Sequence, residues 1–171
     1  MLDVNQRNER RDLMPPMDKP DALLQDVIAM KRTGKEAVPA LIRVLKNDGD
    51  LRTMAAVVLG ELGADAAEAI PALAELLGDD KHETQMAAAL TLMRIGPLSL
   101  PHLKERIECS EGLSRFWASW SAAMLAPEQA SPAMIEALQR ERISTDNVIR
   151  VAAADEALGT IIAAGLIQEQ Y

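Results

Sequence analysis

Two histidines, His82 and His102, and one cysteine, Cys109, are the obvious nucleophiles and metal ligands of this chain. A zinc site asks for three or four Cys, His or carboxylate ligands at short spacings, and no third ligand stands at such a spacing from either histidine. A nucleophilic Cys needs a neighbouring base or a helix N-terminus. Cys109 has Glu108 and Glu111 beside it instead and reads as structural. Gly60-Glu61-Leu62-Gly63 lacks the Lys-Ser/Thr of a phosphate-binding loop and reads as a helix end. No catalytic residue, metal or cofactor is expected.

Two other groups invite a binding reading. Phe116, Trp117 and Trp120 hold three of the four aromatic residues within five positions, with Met124 one turn beyond. Large rings at helical spacing fill a core, and exposed Trp anchors interfaces; both readings stand at this level. The second group is a set of charges at fixed distances from prolines. Four residues after Pro39, Pro71, Pro101 and Pro132 come Arg43, Glu75, Glu105 and Glu136. Glu68 lies three residues before Pro71, and His102 follows Pro101.

The elements that must position these charges follow from the prolines themselves. They recur at spacings of 32, 30 and 31 residues, each opening an apolar run such as Ala37-Val38-Pro39-Ala40-Leu41 and Ala69-Ile70-Pro71-Ala72-Leu73. Proline is tolerated in the first turn of a helix, where its missing N–H costs nothing. A second kind of run alternates with the first: Leu51 to Gly63, Gln85 to Gly96, Arg115 to Ala126 and Ile149 to Ile161. Gly63 and Gly96 suit the left-handed position that ends a helix. The spacing predicts paired helices over 21–32 with 36–46, 50–62 with 66–77, 82–95 with 97–108, and 113–125 with 129–140, then a last helix over 146–165. A two-helix period of 30–34 residues is the pattern of a solenoid, in which one pair cannot bury its apolar face alone.

In its 171 residues the chain carries 26 acidic and 18 basic side chains, for a net charge of −8. That charge disfavours nucleic acid and anionic membrane as partners. Four aromatics are too few for base stacking along a strand. No apolar stretch is long enough to span a bilayer, and no secretory leader opens the chain. One Cys permits no internal disulfide, so a cytoplasmic home is expected. Residues 1–20 are polar, balanced in charge and read as a flexible arm before a domain over 21–171. The last helix ends in Ile161, Ile162, Leu166 and Ile167, which either fold back over the end of the stack or meet a second copy in a homodimer.

Leu51-Arg52 through Gly63, followed by Ala69-Ile70-Pro71-Ala72-Leu73, resembles the HEAT-like repeat family, in the short form of the phycobilisome bilin lyases. Ile149-Arg150 with Leu158-Gly159 matches with one extra residue; the third and fourth repeats are degenerate. The resemblance implies an all-α, right-handed α-solenoid of about four and a half helix pairs, with the proline-bearing helices on the concave side. Arg43, Glu68, Glu75, His102, Glu105 and Glu136 would then share one acidic stripe. The expected role is a non-catalytic adaptor that binds a basic or amphipathic segment of another protein. The alternative that the resemblance carries is an accessory protein for attaching or detaching a tetrapyrrole, with no residue of the lyase site to carry over. Similar scaffolds also hold a di-iron hydroxylase with repeated His-Glu pairs. Here His82-Glu83 is the one such pair. Relatives that excise alkylated DNA bases use a basic groove, which an acidic chain does not supply.

Overall fold

Each of the four prolines stands in the first turn of a helix: Pro39 in α1 (Val38–Asn47), Pro71 in α3 (Ile70–Leu76), Pro101 in α5 (Leu100–Cys109) and Pro132 in α7 (Pro132–Ser144). Between them run α2 (Arg52–Leu62), α4 (His82–Ile95) and α6 (Gly112–Leu125), and α8 (Val148–Ala163) follows. The computed structural model describes residues 31–47, 49 and 51–165, together with Gln25, Val27 and Ala29, which are helical. The expected arm, and Leu166 and Ile167 of the expected apolar end, lie outside the described residues.

The proline-bearing helices start later than their apolar runs suggest. Residues Gly63–Ala69 form a 3-10 segment, not the first turn of α3. Pro71 has no N–H with which to bond the carbonyl four residues back, so an α-helix begun at 66 would break there. The chain instead closes a tighter turn, Ile70 N–H donating to the Ala67 carbonyl. The same happens before Pro101, where Pro97–Ser99 is 3-10. Gly63 and Gly96 do take positive φ, at 57° and 95°, but with ψ of −130° and −155°. That is an extended glycine conformation, not the left-handed cap expected, and it lets the 3-10 segment begin at once.

The helices form two layers. α2, α4, α6 and α8 pack in succession in one; α1, α3, α5 and α7 form the other, and each even-numbered helix also packs against the proline-bearing helix before it. The result is an all-α solenoid with one continuous core. Leu41, Leu59, Leu73, Leu92, Leu103, Leu138 and Ile161 are fully buried in it, each contributing roughly 1.5–3 kcal/mol. Small residues let the even-numbered helices approach closely, and hydroxyls stitch them together. Thr91 Oγ1 donates to the Ala56 carbonyl at 2.8 Å and Ser121 Oγ to the Ala89 carbonyl at 3.1 Å. Thr53 and Thr84 share a bond of 2.7 Å.

Ile161 is buried, whereas Ile143, Val148 and Ile149, at the turn from α7 to α8, are exposed. No helix among the described residues is long and apolar enough to cross a membrane.

Candidate partner-binding face

Two open grooves lie on the proline-bearing layer. α3 is only seven residues long, and a furrow opens on each side of it. Between α3 and α5 lies a groove of about 360 Å³ lined by Pro71, Ala74, Glu75, His102, Glu105, Arg106 and Cys109. The four α5 residues stand at i, i+3, i+4 and i+7, which puts them on one face of that helix. Towards α1 lies a second groove of about 280 Å³, lined by Leu45, Lys46, Arg52, Ala72, Glu75, Leu76, Gly78 and Asp79. Glu75 lines both.

The structure therefore brings three of the six sequence-derived charges together: Glu75, His102 and Glu105. The other three line neither groove. Arg43 is exposed on α1, and Glu68 is exposed on the 3-10 segment ahead of α3. Glu136 is exposed on α7 and pairs with Arg140 one turn on, at 2.6 Å. The stripe is also not uniformly acidic, because Lys46 and Arg106 stand among its carboxylates. Counting from the prolines could not reveal those two, since neither occupies a repeated offset. Cys109, expected to be structural, is exposed and lines the first groove.

The aromatic group falls elsewhere. Phe116, Trp117 and Trp120 are all buried, so they are not an exposed anchor. Phe116 and Trp117 meet edge-on with ring centroids 4.9 Å apart, and Trp117 and Trp120 at 5.9 Å. Trp120 Nε1 reaches across to Glu156 Oε2 on α8 at 3.3 Å. The rings occupy volume that Ala118, Ala122 and Ala123 leave free in the same helix, which is the core-filling role.

Sequence reasoning missed two ion pairs made by arginines at helix starts, one of which lines the second groove. Arg52, at the start of α2, pairs through Nη1 with Asp79 Oδ2 at 2.6 Å, and the Asp79 side chain is almost wholly buried. Asp79 Oδ1 accepts from Lys81 N–H at 2.9 Å, and its carbonyl accepts from Gln85 Nε2 at 2.6 Å. Arg150, at the start of α8, likewise pairs with the half-buried Glu141 of α7 at 2.8 Å. The signal was present, since Arg52 and Arg150 follow Leu51 and Ile149 at the same place in the repeat. Their partners are spread along the chain at no fixed offset. Among the described residues, no three His, Cys, Asp or Glu side chains come together as a metal site.

A family model for HEAT repeats matches residues 38–123, half of the chain, and spans α1 through most of α6. The chain belongs to the HEAT-repeat family. The Bacillus subtilis (strain 168) protein described as "Uncharacterized protein SkfG" is 43% identical over 141 residues, which cover 82% of each chain. As HEAT repeats, the two layers explain the alternation of proline-bearing and small-residue helices. They also place Glu75, Glu105 and Glu136 on one layer.

Proposed function

We propose that this HEAT-repeat chain is a non-catalytic adaptor of the cytoplasm, which binds a segment of another protein across its proline-bearing layer. The observation that carries this reading is the pair of grooves flanking α3, with free carboxylates on both walls of the larger one. Glu75 and Glu105 make no ion pair among the described residues, so their charge is available to a partner. Such charges steer a basic partner and exclude an acidic one. Burial against a preformed groove supplies the remaining affinity, and a rigid stack loses little entropy on binding.

The test is affinity capture from native lysate. The wild type is expected to retain a protein that the Glu75→Lys/Glu105→Lys variant loses, while Glu136→Lys retains it. All three should have the same circular dichroism spectrum, because the substituted side chains are exposed. Equal capture by the wild type and the double variant would remove the grooves from the binding face.

A further inference from the structure

The two grooves carry different charge. In the groove between α3 and α5, the carboxylates Glu75 and Glu105 outnumber the single guanidinium of Arg106. In the groove between α1 and α3, Arg52 and Asp79 neutralise one another at 2.6 Å. That leaves Lys46 as the cation of the second groove, with no ion pair among the described residues, facing a wall that includes Leu45, Ala72 and Leu76. Glu75 stands in both grooves, so counted by helix the free charge runs from Lys46 on α1 to the carboxylates Glu75 on α3 and Glu105 on α5.

Size and spacing select the occupant. A groove of about 360 Å³ has room for side chains of a bound segment. Neighbouring helices pack about 8–10 Å apart, so the two grooves lie about that distance apart on either side of α3. An extended peptide advances about 3.3 Å per residue, so side chains about three positions apart reach the two grooves. We infer that this layer binds an extended peptide in which Arg or Lys, seated between Glu75 and Glu105, stands about three residues from an Asp or Glu that meets Lys46. The inference rests on the adaptor reading and names its ligand class.

The test uses a phage-displayed library of random dodecapeptides, selected on the immobilised full chain. The expected result is enrichment of a basic and an acidic residue about three positions apart. Synthetic peptides of that sequence should bind about tenfold more weakly to Glu75→Gln/Glu105→Gln, since each exposed charge contributes modestly. Lys46→Ala should abolish the preference for the acid and keep that for the base. Cys109, the chain's one cysteine, lines the occupied groove, so saturating peptide should slow its alkylation by iodoacetamide. Enriched peptides without the charge pair overturn the inference, as do peptides that leave Cys109 alkylation unchanged. Both outcomes leave the adaptor reading intact. No enrichment at all overturns the inference and the adaptor reading together.

Discussion

A methyl group on Gly60 would sit 2.9 Å from Thr91 Oγ1, a hydroxyl already bound to the Ala56 carbonyl. The glycine is there for helix contact, not for backbone freedom, because it lies inside α2. Gly60→Ala must therefore push α4 outward or break that bond, at a cost of about 1–3 kcal/mol typical of overpacking. Urea unfolding of Gly60→Ala, Thr91→Ala and the double variant measures it. The double variant should lose less than the sum of the singles, because the side chain that the new methyl meets has gone. Full additivity would mean that the two helices do not meet at this point.

Helix ends carry the charge contacts between repeats. Glu61, near the end of α2, receives Lys31 Nζ at 3.1 Å and Arg94 Nη1 at 2.9 Å, one from the repeat on each side. The hydrogen bond from Lys31, then that from Arg94, with the attraction of both cations, holds the Glu61 carboxyl below its usual range. A carboxyl lowered in the folded state stabilises it fully above the ordinary carboxylate range, and that stabilisation is lost as the pH falls through the lowered folded value. Glu61→Gln should thus melt below the wild type at neutral pH, and the gap should close in acid below about pH 4. The group is exposed, so the gap is small and shrinks further in high salt. A gap that persists in acid would assign the loss to something other than charge.

At the scale of the molecule, one core runs from Val27 in the first repeat to Ile161 in the last. A stack of this kind draws its stability from repeats and from the interfaces between them. Trp117 lies in the middle of that core. Trp117→Ala is expected to cost about 3–5 kcal/mol, as large buried rings do. The loss should be felt throughout the stack. Trp120, the remaining tryptophan, should report by fluorescence the same unfolding midpoint that circular dichroism reports for all helices. Separate midpoints would mean that the stack comes apart in independent blocks. The adaptor reading belongs to this scale too, since its face takes residues from four helices and no single repeat contains it.

Periodicity by itself determined the helices and their family. Proline position and apolar spacing are local signals, read within a few residues, and Pro39, Pro71, Pro101 and Pro132 each stand where that reading puts a helix start. The site was half legible for the same reason: Glu75 and Glu105 share an offset from their prolines and also a groove. Only the tertiary structure could remove Glu68 and Glu136 from that groove and add Lys46, Arg106 and Cys109, because a groove wall depends on how far apart two helices stand. It alone decided that Phe116, Trp117 and Trp120 are buried, since helical spacing puts rings on one face without saying what covers it. The pairing of Arg52 with Asp79 lay beyond the sequence as well. An ion pair across a loop has no period, and its geometry exists only once the two layers have closed.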